Sequence, residues 1–244
     1  MKIRLVIFFA FLTSFIFSYG QTNNQIIITF DDSYIDEWFA QRELFDTYNI
    51  KATFFISRPY KLTDNQIDKL KILVQNGHEA GCHGLNHIEA TEENQEHYIA
   101  AEIEPALQLM SDYGFTVTSF AYPFGPSTPY LDSALTHYFT FIRKATYNYL
   151  DTLISVYSEI FAQQSVHIVT NAMGIDGNFN ISMENLEDAI MYVKETGYFL
   201  VLYAHAINES GDSYSITPQY LEELFILLKK HNITSITCKE AVIR

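Results

Sequence analysis

"QIIITFDD", residues 25–32, is an apolar run rich in β-branched side chains that ends in two adjacent carboxylates. It is too short for a helix and reads as a buried strand over residues 25–30. Asp31 and Asp32 stand where that strand leaves the core. Two neighbouring negative charges at such a point either solvate a turn or face a cation.

The strand-then-helix phrase repeats outward from this stretch. Residues 36–48 suit a helix with Trp38, Phe39, Leu44 and Phe45 on its apolar side, and "KATFFIS", residues 51–57, suits a second strand. Residues 63–76 form an amphipathic pattern that Thr63 caps and Gly77 stops, with Ile67, Leu70 and Val74 along one face. A short third strand is predicted over 78–82, a long helix over 91–113, a fourth strand over 116–122 and a strand-like stretch over 138–143. Residues 147–170 show no clear period. Then come a helix over 182–196, a strand over 198–204, a helix over 217–231 and a last strand over 233–237. Such alternation implies parallel strands joined by crossover helices. Seven or eight such units, with no glycine-rich phosphate loop, predict a barrel rather than an open sheet. In such barrels the chemistry lies at the C-terminal ends of the strands.

Composition narrows the partners. The chain has 244 residues, 48% of them hydrophobic, which excludes a disordered chain. The net charge of −14 argues against nucleic acid, whose binding rests on basic patches. Seventeen Tyr and nineteen Phe suit either an aromatic core or stacking on flat ligands such as sugar rings. At the N-terminus, Lys2 and Arg4 precede an apolar stretch from Leu5 to Phe17, then Ser18 and Gly20. This pattern predicts a signal peptide over 1–20, a mature domain over 21–244 and a secreted or periplasmic protein, with no stable membrane span once the leader is removed; the alternative is an uncleaved membrane anchor, for which the apolar run is short of the roughly 20 residues a span needs.

The predicted strand exits form one chemical set. The first delivers Asp31 and Asp32. The third delivers "HGLNH", His83 to His87. The fourth delivers "AYPFG", Ala121 to Gly125. A late strand, "YFLVLYAH", delivers His205. Two histidines and one carboxylate make a common zinc ligand set that leaves a position for water. Cys82 precedes His83 in a strand, so its side chain points the other way and it reads as a core residue. His78, His97, His137, His167 and His231 lie outside the set and read as surface or structural.

Taken in order, "TFDD", "HGLNH", "FAYPFG" and "LVLYAH" resemble the polysaccharide deacetylase family, the NodB-homology domains of carbohydrate esterase family 4. The resemblance spans nearly all of the mature chain. It implies an α/β fold, a distorted (β/α) barrel of about seven parallel strands. It implies Asp31 as catalytic base, Asp32, His83 and His87 as metal ligands, His205 as catalytic acid and the Phe124 backbone N–H as an oxyanion donor. Tyr122, Pro123 and Tyr203 fall at substrate-binding positions. The expected cofactor is a divalent metal, zinc first, with cobalt, nickel and iron also compatible with the ligand set. The expected partner is an acetylated glycan, of the N-acetylglucosamine type first and O-acetyl xylan second.

The chain departs from the family pattern at several positions. Gly84 replaces a Ser or Thr that steadies the histidine loop. Ala121 replaces an Arg that orients the base, Tyr122 a frequent Pro, and Tyr203 an aliphatic residue. Arg58 reads first as a surface residue and second as a substitute for the missing Arg. Asp176, in "MGIDGN", reads first as a turn carboxylate and second as the partner of His205. Two alternatives to a glycan deacetylase follow: a carbohydrate-binding homologue without catalysis, and a hydrolase of other non-peptide C–N amide bonds.

Overall fold

The computed structural model describes residues 24–146 and 158–243. The leader read over residues 1–20 lies outside the described residues, as does most of the first half of the 147–170 stretch.

The strands are β1 Gln25–Asp31, β2 Thr53–Ile56, β3 Glu79–Cys82, β4 Ser119–Ala121, β5 Phe141–Thr146, β6 Phe161–Ala162, β7 Ile168–Gly174, β8 Phe199–Ala204, β9 Ala206–Ile207, β10 Ser215–Ile216 and β11 Thr234–Ile236. Seven of them pair in parallel in the order β1-β2-β3-β4-β5-β7-β8, and β8 pairs back onto β1, closing a barrel. β11 extends the sheet beside the start of β1, and β6 lies antiparallel on β8. β9 and β10 form a separate parallel pair above the β8 exit.

Helices cover the outside: α1 Ile35–Ala40, α2 Arg42–Thr47, α3 Asp64–Gln75, α4 Gln95–Tyr98, α5 Glu104–Asp112, α6 Pro129–Leu135, α7 Met183–Thr196 and α8 Pro218–His231. Thr63, Ser182 and Thr217 cap α3, α7 and α8 with their side chains. Because both faces of the sheet are covered, β1 and β8 are buried almost end to end.

Alternation along each strand sorts the side chains into two layers. Ile26, Ile28 and Phe30 pack outward against helix residues such as Trp38, Leu70 and Leu224. Ile27, Phe55, Ala121, Phe141, Ala172, Val201 and Tyr203 fill the barrel interior. Followed to the C-terminal ends, the inward phase ends on Asp31, His83, Tyr203 and His205. Cys82 belongs to the outer layer and Cys238 to the inner one; both are buried and neither forms a disulfide.

Local differences from the sequence reading have physical causes. Residues 36–48 form two helices that meet at Gln41, so Trp38 serves the β8 exit while Phe45 packs on Phe225. The long helix starts only at Gln95 and carries a wide π turn over Ile99–Ile103. Pro105 follows it at the start of α5; a proline there has no N–H to donate, and the wide turn accommodates it. β5 begins later than predicted because Tyr138 and Phe139 still donate to Leu135 O and close α6. The sequence reading missed β7, a full barrel strand. Its inward residues Ala172 and Gly174 are small, and its outward side includes Val169, 39% exposed, so the hydrophobic alternation is weak.

Candidate active site

The turn after β1 is strained. Asp32 and Ser33 hold φ values of 84° and 83°, a region that non-glycine residues rarely adopt. Ser33 Oγ donates to Ser57 O at 2.7 Å and Ser57 Oγ to Asp32 O at 3.2 Å, which ties the β1 and β2 exits together. The turn brings Asp32 to the histidine loop. Asp32 Oδ1 lies 3.1 Å from His87 Nε2 and 3.9 Å from His83 Nε2, and one ligand atom from each of the three residues lies within 4.8 Å of the others.

The tautomer of His83 is set by its surroundings. His83 Nδ1 lies 2.8 Å from Ala121 O, which can only accept, so Nδ1 carries the proton and Nε2 keeps its lone pair. Burial pushes the His83 pKa down to about 4 against the pull of Asp31 and Asp32, so the ring is neutral at pH 7. Burial by itself would raise the pKa of Asp32. The hydrogen bond with His87 and the fields of His83, His87 and His205 instead hold it well below the usual carboxylate range. Two imidazole nitrogens and an ionised carboxylate at this spacing fit a divalent cation.

Asp31, the last residue of β1, accepts from Arg143 Nη2 at 2.5 Å through Oδ2. Its other oxygen is buried and has no hydrogen-bond partner among the described residues. Arg143 is 1% exposed and its guanidinium lies over the rings of Phe55 and Tyr203, at 5.4 and 5.0 Å. In the parallel register, Arg143 on β5 pairs with Ala121 on β4. The arginine expected at position 121 is thus supplied one strand over, at the same height. Sequence reasoning missed it, although a charged residue inside the strand "FIRKAT" was the available signal.

His205 follows β8 and is held from three directions. Its Nδ1 lies 2.6 Å from Asp176 Oδ2, its backbone N–H donates to Asp176 Oδ1 at 3.0 Å, and its carbonyl accepts from Trp38 Nε1 at 2.7 Å. Burial by itself would lower the His205 pKa, but Asp176, aided by Asp31 and Asp32, raises it overall. The first reading of Asp176 as a turn carboxylate is corrected: its side chain is buried in the service of His205.

These groups share one cavity of about 430 Å³. Tyr122, Phe124, Arg58 and Tyr203 also line it, so Arg58 is a cavity residue rather than an outer surface one. Phe124, in a left-handed conformation with φ 62°, packs its ring on His87 in a T-shaped contact, with centroids 4.6 Å apart, and is 54% exposed. Tyr122 is 1% exposed, and burial beside Asp132 pushes its phenol well above the ordinary range. Pro123 does not line the cavity. It is buried, with Cγ 3.6 Å from the place a Cβ on Gly84 would occupy, and so supports the histidine loop.

Fold and site together define an α/β-barrel protein with a candidate two-histidine, one-carboxylate metal centre at its strand exits. The family model for polysaccharide deacetylases matches residues 19–138, and the chain belongs to the polysaccharide deacetylase family. No curated protein matches it. Among solved structures it is similar to a family 4 acetyl xylan esterase from Clostridium thermocellum in complex with cobalt, at 17% identity, TM-score 0.56 and 89% coverage of each chain. It is similar to the catalytic domain of a peptidoglycan N-acetylglucosamine deacetylase from Eubacterium rectale, at 17% identity, TM-score 0.56 and 88% coverage of each chain. A family 4 pseudoenzyme from Bacillus anthracis matches at 14% identity and TM-score 0.53, over 86% of this chain and 63% of that one.

Proposed function

We propose that the protein is a metal-dependent hydrolase that removes acetyl groups from an acetylated glycan, of the N-acetylglucosamine type first and O-acetyl xylan second. The observation that carries this reading is the meeting, in one cavity, of the Asp32–His83–His87 cluster with the Asp31–Arg143 and His205–Asp176 pairs. A divalent ion held by Asp32, His83 and His87, zinc first, supplies an acidified water and polarises the acyl oxygen. The cobalt in the Clostridium thermocellum esterase supports a divalent ion in this fold.

The chain's own residues do the rest. Asp31 presents its unpartnered Oδ1 as the base, and Arg143 fixes that carboxylate through the other oxygen. The Phe124 backbone N–H is the oxyanion donor. With Nδ1 engaged by Asp176, His205 gives a proton from Nε2 to the departing amine or alkoxide. Tyr203, beside both Arg143 and His205, shapes the acetyl pocket, and Tyr122 contributes to its wall. Tyr34, Phe124 and Tyr214 line the cavity with partly exposed rings suited to stacking on sugar faces. The apolar leader directs the chain out of the cytoplasm. No described helix is long and apolar enough to cross a membrane.

The pseudoenzyme among the similar structures keeps a second reading in view, a glycan-binding homologue without turnover. The occupied acid and base positions support the hydrolase. Zinc- or cobalt-loaded protein should release acetate from acetylated chito-oligosaccharides, glucosamine polymers or acetyl-xylan. Binding to the same panel without acetate release would decide for the second reading.

A further inference from the structure

Glu102 is 1% exposed, and no cationic side chain pairs with it among the described residues. Its carboxylate is spent instead on the loop between the two histidines. Oε2 accepts from the Asn86 backbone N–H and Oε1 from Asn86 Nδ2, both at 2.8 Å. Its carbonyl accepts from Leu85 N at 2.9 Å. One residue of the π turn thus holds two consecutive residues of the loop.

The two histidines are not held alike. His83 has its second ring nitrogen on Ala121 O. No hydrogen bond holds the second ring nitrogen of His87 among the described residues; its ring meets Asp32 through Nε2 and packs on the ring of Phe124. Metal-binding histidines usually donate that second nitrogen to an acceptor that fixes the ring. The placement of His87 therefore falls to its backbone, which holds a left-handed φ of 61° immediately after Asn86. Gly84 belongs to the same arrangement. Its φ is +81°, and a Cβ there would stand 2.9 Å from Glu102 Oε2, so the carboxylate occupies the space that a side chain at position 84 would take.

We propose that Glu102 is the positioning residue of His87, acting through Asn86, and that it sets the affinity of the metal centre. This rests on the reading of Asp32, His83 and His87 as metal ligands.

The test is the zinc dissociation constant of the full chain, measured by competition with a chromophoric chelator, together with the melting temperature of the metal-free protein. Glu102→Gln keeps the shape of the side chain but turns one acceptor into a donor. It should weaken zinc binding about 10- to 100-fold. The same change made in His87→Ala should cost nothing further, since the residue it positions is gone. Asn86→Ala, which removes only the side-chain tie, should weaken zinc in the same direction by less, and it serves if Glu102→Gln does not fold. Glu79→Gln is the control. Glu79 is a buried carboxylate at the opposite end of the barrel, accepting from Thr53, Ser119 and the Lys239 N–H. It should lower the melting temperature and leave zinc affinity alone. Wild-type zinc affinity in Glu102→Gln, or an equal loss with and without His87, overturns the proposal. Undiminished zinc binding in His83→Ala and His87→Ala would instead remove the metal centre itself.

Discussion

Arg143 reaches Asp31 across the barrel interior from a position 112 residues away in the chain, and it pairs in register with Ala121. Both partners are nearly inaccessible, at 1% and 3% exposure. Removing one charge of such a pair leaves the other buried without compensation. Arg143→Ala should therefore destabilise the fold by about 3–5 kcal/mol. Arg143→Lys should recover part of the stability and less of the activity, because an ammonium cannot reproduce the planar fork over Phe55 and Tyr203. Urea denaturation and kcat at saturating metal separate the two effects.

Asp31 and Asp32 are adjacent in sequence, and the proposed function gives them different tasks, so their conservative variants should separate cleanly. Asp31→Asn is expected to keep zinc affinity within a few-fold and to lower kcat by roughly 10²–10⁴. Asp32→Asn should lose zinc first, with activity partly restored by excess metal. Removal of metal with a chelator should abolish acetate release in the wild type, and added zinc or cobalt should restore it. A zinc affinity that fell equally in both variants would contradict this division.

Asp176 raises the pKa of His205 and fixes its Nδ1 as a donor. In the proposed function His205 is the acid and must be protonated, so activity should decline as pH rises through its pKa. Asp176→Asn removes the charge that raises it, so the alkaline limb of the kcat/KM profile should move to lower pH. The stability contribution has the same sign. It is complete below the unfolded histidine value of about 6.5 and is lost as pH rises through the folded value. Comparison of wild-type and Asp176→Asn profiles checks both statements.

His78 works in the opposite direction and far from the site. It is 6% exposed, packs against Phe45 and Phe54, and accepts from the Ala52 N–H through Nδ1 at 3.1 Å. Burial pushes its pKa down to about 4. Protonation therefore favours the unfolded chain. Its contribution of about 3 kcal/mol is present above pH 6.5 and drains away between pH 6.5 and about 4. The stability difference between wild type and His78→Gln should accordingly shrink across that interval in urea denaturation.

The strand exits were legible because each is a local pattern. An apolar run followed by "DD", by "HGLNH" or by "AH" declares its own end, and alternation in a parallel barrel then sends Asp31, His83 and His205 to the same mouth. The cap Thr63 was equally local. β7 was not legible, because its small inward residues and exposed outward valine leave little periodicity.

By itself the sequence determined the alternating strands and helices, the barrel class and the residue types delivered at the strand ends, all of which follow from neighbours along the chain. The closure of β8 onto β1 belongs to the tertiary structure. So do the arginine that serves Asp31 across the barrel from β5, the buried Asp176 carboxylate that holds His205 and the π-turn glutamate that holds the histidine loop. Each of these is a contact that only strand register and loop path bring within hydrogen-bond reach. No local pattern encodes which of several buried charged residues will meet.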